Sequence, residues 1–125
     1  MILDTSAVSA LAMGDAGILK VLAASERHHL PVIVIGEYDF GLAGLRRGRE
    51  LQKWLALLVS ESIILSVELA TATHYASLRT ELRRAGTPIP ANDFWIAALA
   101  REHGLLIVSR DAHFDRVRGI QRLAW

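Results

Sequence analysis

Short apolar runs alternate along the chain with stretches whose apolar residues recur at helical spacing. Ile2-Leu3 reads as a very short strand ending at Asp4, with Ser6 as the cap of a helix from about Ala7 to Met13. Gly14-Asp15 breaks or re-caps that helix before Ile18, Leu19, Leu22 and Leu30 supply further core positions. Pro31-Val32-Ile33-Val34 is rich in β-branched residues and bounded by His28-His29 and Gly36, which predicts a strand buried on both faces and a helix starting near Gly36. After the polar turn at Arg46-Arg47-Gly48-Arg49, Leu51, Trp54, Leu55 and Leu58 mark one face of a helix. Ile63-Ile64-Leu65 is a third short strand. Leu69, Ala72, Ala76, Leu78 and Leu82 then predict a long helix over Val67 to Arg84, ended by Gly86 and Pro88. Asn92 is the expected cap of a helix from Asp93 to His103, Gly104 its stop, and Leu105 to Val108 the next buried strand. A short helix at Ala112–Arg116 and a strand near Ile120–Leu123 complete the pattern.

Strands separated by helices throughout predict an α/β fold with a mainly parallel sheet. The chain's 125 residues suffice for one domain with a core of its own. With no cysteine among them, zinc-finger and disulfide-stapled scaffolds are excluded. No apolar run approaches the roughly 20 residues needed to span a bilayer. The start, Met1-Ile2-Leu3-Asp4, lacks the basic region of a secretory signal, so an intracellular, soluble protein is expected. The 14 Lys+Arg against 13 Asp+Glu argue against a simple polyanion binder. The distribution is more telling, because all eight bases after residue 62 are arginine, the side chain suited to bidentate phosphate contact.

In open parallel sheets ligands sit beyond the carboxyl ends of the strands, and acids recur at those positions. Asp4 follows the first apolar run, Glu37 lies three residues after Val34, and Asp111 lies three after Val108. Asp93 falls in the first turn of a helix, where the dipole favours an anion by roughly 0.3–1 kcal/mol. Asp4 and Asp93 stand in apolar surroundings where a bare carboxylate is costly to desolvate. Four carboxylates in one cleft would repel by roughly 3 kcal/mol per pair at about 5 Å and an effective dielectric near 20. A divalent cation removes that penalty, and carboxylates without thiols select a hard ion, Mg²⁺ or Mn²⁺. Such a site supports hydrolysis of a phosphodiester by activated water.

Four segments together carry a family resemblance: Met1-Ile-Leu-Asp4-Thr5-Ser6-Ala7, Ile35-Gly-Glu37-Tyr-Asp-Phe-Gly41, Gly86-Thr-Pro-Ile-Pro-Ala-Asn-Asp93-Phe-Trp-Ile-Ala-Ala98 and Val108-Ser-Arg-Asp111-Ala-His-Phe114-Asp-Arg-Val-Arg-Gly119-Ile120. In order and spacing they resemble the PIN domain, specifically its VapC-type toxins. The resemblance covers essentially the whole chain, residues 1–125, as a single PIN domain. It implies a PIN-like α/β fold with a four- or five-stranded, mainly parallel sheet. It also implies a cytoplasmic, Mg²⁺- or Mn²⁺-dependent endoribonuclease, homodimeric and neutralised by a cognate VapB-type antitoxin in a hetero-oligomer. Asp4, Glu37, Asp93 and Asp111 fall on the family's acidic quartet, as catalytic and metal-binding residues. Thr5 or Ser6 falls where a hydroxyl supports the first Asp. Asp115 is the alternative to Asp111 as the fourth acid. Asp39 is about 200° round a helix from Glu37, so both cannot face one site.

Arg46, Arg47, Arg49 and Lys53 form the densest local basic cluster, open to reading as RNA or antitoxin contacts or as a charged turn; Arg110 joins them as a candidate contact. His28-His29 reads as a surface turn, and His74 and His103 as solvated helix residues. His113 lies nearer the predicted site. Trp54 and Trp95 fit packing or interface roles better than base stacking. Two competing functions remain in view: a non-catalytic PIN-like binding module, and a phosphoacceptor receiver domain. The latter needs a lysine near the end of a late strand, whereas the only lysines are Lys20 and Lys53.

Overall fold

A computed structural model describes residues 1–125 as a five-stranded, wholly parallel sheet wrapped by helices. The elements in chain order are β1 (Ile2–Leu3), α1 (Thr5–Ala12), α2 (Ala16–Ala23), β2 (His29–Pro31), α3 (Val32–Leu42) and α4 (Gly48–Glu61). There follow β3 (Ile63–Leu65), α5 (Leu69–Arg84), α6 (Ala91–His103), β4 (Ile107–Val108), a 3₁₀ helix (Ala112–Arg116) and β5 (Arg122–Leu123). Strand order is β3-β2-β1-β4-β5, every neighbouring pair parallel. The expected fold class and the five-strand alternative are both met.

The core gathers on β1 and β4, whose Ile2, Leu3, Ile107 and Val108 are completely buried. The same core takes in α6, which is buried from Ile96 through Ala100 and packs chiefly on α5. That helix is covered on several sides at once, so its sequence is apolar rather than amphipathic. Gly104 ends it in the left-handed region, φ 65° and ψ 34°, a conformation a side chain disfavours. No single helix is long and apolar enough to cross a membrane.

The largest departure from the sequence reading is at Pro31-Val32-Ile33-Val34. The strand stops at Pro31, and the β-branched run is the first turn of α3. Two constraints explain this. Pro31 has no N–H to continue a ladder, and its partner Leu65 is the last residue of β3, so nothing remains to pair with. Val34, Tyr38 and Leu42, four apart, are then buried as one face of α3. Helix starts shift elsewhere for local reasons. Asp4, not Ser6, caps α1, its carboxylate accepting from Ala7 N. Pro90, not Asn92, precedes α6, its carbonyl accepting from Asp93 N at 3.0 Å. α5 begins at Leu69 rather than Val67 because a reciprocal capping box joins Glu68 and Thr71. The last two strands are shorter than expected, Ile107–Val108 and Arg122–Leu123.

Leu78 is completely buried on α5, whereas Leu69 on the same helix is 86% exposed. Leu78→Ala is expected to lower unfolding free energy by about 2–5 kcal/mol, and Leu69→Ala to change it by no more than about 0.5 kcal/mol, both measured by urea denaturation.

Candidate active site

The site begins with strand register. Ile2 pairs with Ile107 and Leu3 with Val108, so the next residues, Asp4 and Ser109, emerge side by side from the carboxyl ends of β1 and β4. Strand order reverses between these two strands, which is where open parallel sheets form a crevice. Asp4 is 5% exposed and Ser109 completely buried. Asp4 Oδ2 accepts from Ser109 Oγ at 2.5 Å, while Oδ1 accepts from Ser6 Oγ at 2.7 Å and Ala7 N at 2.8 Å. Burial pushes the Asp4 carboxyl above its ordinary pKa, the three hydrogen bonds pull against that shift, and Asp111 adds to it. A carboxylate accepts about four hydrogen bonds. Three are used, leaving one direction of Asp4 free.

The hydroxyls also tie in the next loop. Ser109 Oγ accepts from Asp111 N at 2.9 Å, and Ser6 Oγ accepts from Arg110 N at 3.1 Å. Asp111 is thereby fixed relative to Asp4, and it caps the 3₁₀ helix by accepting from His113 N. Asp93 enters from the first turn of α6. Glu37, on the second turn of α3, is held by Thr5 Oγ1, which donates to its Oε2 at 2.7 Å. One ligand atom each from Asp93, Asp111 and His113 lies within 4.8 Å of the others.

None of Asp4, Glu37, Asp93 and Asp111 is paired with a lysine or arginine, and His113 Nε2 lies 3.3 Å from Asp111. The consequence falls on Asp93, whose pKa is raised to about 6 by burial, then by the charges of Asp111, Asp4 and Glu37, with His113 opposing. His113 Nδ1 is buried without a hydrogen-bond partner. Clustered carboxylate oxygens and an unfilled lone-pair direction on Asp4 fit a hard divalent cation.

A family model described as the PIN domain matches residues 1–120. The VapC ribonuclease Y4jK of Sinorhizobium fredii is 30% identical over 121 residues, covering 89% of this chain and 86% of that protein. The chain belongs to the PIN-domain family. Its VapC-type PIN domain is also 40% identical over 68 residues to the tRNA(fMet)-specific endonuclease VapC of Shigella flexneri, a match that spans 54% of this chain and about half, 52%, of that relative's length. In fold it is similar to a chain in the crystal structure of DNA-bound VapBC from Salmonella typhimurium, with TM-score 0.89, 24% identity, and 99% of this chain and 96% of that one covered.

In this PIN domain Asp93 and Asp111 share one cluster, Asp4 adjoins it through Ser109, and Glu37 lies within electrostatic reach of Asp93. The two hydroxyls divide their work: Ser6 supports Asp4, whereas Thr5 holds Glu37. Asp115 is drawn off by Arg122, whose guanidinium grips both its oxygens at 2.8 and 2.7 Å, so the candidate fourth acid that joins the cluster is Asp111. Arg110 is committed to Asp15 and lies over the Trp125 ring at 4.7 Å. Arg46 and Arg47 lie before α4 and Arg49 and Lys53 on it; Arg47 pairs with Glu50 at 3.1 Å. Ser109 escaped sequence reasoning, although it follows β4 as Asp4 follows β1 and carries a small hydroxyl directly after an apolar run. The receiver-like reading fails on family membership and on its lysines, which lie on α2 and α4.

A carboxyl whose folded pKa exceeds its unfolded value supports folding below the unfolded pKa and loses that support as pH rises through the folded value. For Asp93 this window runs from its ordinary 3.8 up to about 6. Asp93→Asn is therefore expected to stabilise the metal-free protein at neutral pH by about 1–2 kcal/mol after allowance for solvent screening. Thermal unfolding in chelator should show the gain shrinking as pH falls toward the lower end of that window.

Proposed function

We propose that this chain is a Mg²⁺- or Mn²⁺-dependent endoribonuclease, the toxin of a VapBC-type pair, acting in the cytoplasm as a homodimer and neutralised by a VapB-type antitoxin. The observation that carries this reading is an acidic cluster at the sheet's switch point without a lysine or arginine counter-ion. A structural ion-pair network would have met those charges from within. Relatives named as VapC ribonucleases support the substrate class, and VapBC complexes among the structural neighbours support the antitoxin as partner.

In this reading Asp4, Asp93 and Asp111 hold the cation, with Glu37 completing the acidic wall and His113 flanking it. The bound cation supplies Lewis acidity toward a phosphodiester oxygen and lowers the pKa of a nearby water. The chain's own residues do the positioning. Ser6, Ser109 and Ala7 N lock the Asp4 carboxylate, so its remaining lone pair points in one direction. Thr5 donates to Glu37 Oε2 and so keeps that carboxylate facing the other acids, where it would add negative charge for the cation. Asp93, with its pKa raised to about 6, is already mostly ionised at neutral pH, and a bound cation would favour its charged form further.

Asp4→Asn and Asp93→Asn should each reduce RNA cleavage by about 100-fold or more with the fold retained, and chelator should abolish it until Mg²⁺ or Mn²⁺ is restored. Full cleavage in excess chelator, read on a gel, would overturn the proposal. Ser109→Ala should weaken divalent-ion affinity by about 10–100-fold, the usual scale for losing a group that orients a ligand; calorimetric titration with Mn²⁺ checks this.

A further inference from the structure

We propose that an arginine-lined cleft beside the acidic site binds the phosphates of an RNA strand on one side of the bond to be cut; this rests on the ribonuclease reading above. The cleft, about 770 Å³, is walled by Arg84 on the last turn of α5, Arg101 on α6, Arg116 at the end of the 3₁₀ helix and Arg118 just beyond it. Four guanidiniums face one carboxylate, Glu81.

Two features separate this cleft from an ordinary solvated charged face. First, the arginines converge on one concavity from separate elements, although like charges brought together repel. Arg101 is pinned there: it donates to both oxygens of Glu81, at 3.1 and 3.2 Å, and to the Arg118 carbonyl. Arg84, Arg116 and Arg118 are exposed and form no ion pair, so their donors are free for a ligand. Second, two of the walls start in the acidic site. α6 carries Asp93 in its first turn and Arg101 eight residues later, a rise of about 12 Å. The 3₁₀ helix runs from its cap Asp111 to Arg116. A strand whose scissile phosphate meets the acids therefore reaches the cleft within a few nucleotides. Arginine's planar fork suits phosphate oxygens, and a fixed wall of this kind positions a strand without reading its bases.

The test measures binding of a single-stranded RNA of about 20 nucleotides, well beyond one such site, to protein carrying Asp93→Asn so that the RNA survives. Adding Arg84→Ala, Arg116→Ala and Arg118→Ala should weaken binding by roughly 100-fold at 0.1 M salt and reduce the slope of log affinity against log salt by about 2, the counterion release of three phosphate contacts. The corresponding triple lysine variant should recover most of the slope, which separates charge from misfolding. In the otherwise unmodified enzyme, the alanine triple should slow cleavage of the long RNA while sparing an oligonucleotide too short to reach the cleft. Unchanged affinity and slope would overturn the cleft assignment while unmodified protein still cleaves RNA. Loss of antitoxin binding with RNA affinity intact would overturn it in favour of an acidic peptide. If the unmodified protein neither binds nor cleaves RNA, the ribonuclease reading falls and the cleft assignment with it.

Discussion

The hydrogen bond from Ser109 to Asp4 joins residues 105 positions apart, and the geometry of the candidate site follows from it. It exists because β1 and β4 pair in parallel with Leu3 opposite Val108, which leaves the two following side chains adjacent at the strand ends. Through Ser109 the same contact fixes Asp111, and through Ser6 it reaches Arg110 N. Two serines thus convert backbone register into placement of carboxylates. A hydroxyl suits this task because it can donate to one group and accept from another at once.

That arrangement keeps the acids close without meeting their charge. Asp15, Glu81 and Asp115 each have an arginine, but the acids at the switch point have none. The fold therefore carries an electrostatic cost in the metal-free state, concentrated at Asp93 by burial and by its acidic neighbours. This is the usual opposition between stability and function at sites built to hold a cation. The near-neutral total of 14 bases and 13 acids conceals this division. Acids gather at the strand ends, while arginines from α5, α6 and the 3₁₀ helix gather on the neighbouring flank.

Much of this was legible in the chain. Ile63-Ile64-Leu65, the Gly104 stop and the Ala112–Arg116 turn read directly, because each is governed by neighbours in sequence. The acids stood out because carboxylates directly after buried strands demand compensation wherever the strands lie. Pro31 to Val34 misread because a β-branched run fits a buried strand and a buried helix equally well. The choice turned on where β3 ended, which is not a local property. Likewise helical geometry shows that Asp39 and Glu37 cannot both face one site and the family resemblance favours Glu37, whereas Asp111 and Asp115 stayed open. What separates them is Arg122, which reaches across from β5 to claim Asp115.

Residue type and spacing by themselves determined the α/β class, the order of most elements and a set of candidate acids, since local periodicity and the cost of burying charge act within a few residues. Only the tertiary structure decided that Asp4 leans on Ser109, that Thr5 serves Glu37 and that His113 flanks the acids. It alone decided, too, that arginines scattered over some 35 positions line one cleft. These are pairings between distant segments, and their geometry is set by strand order and register.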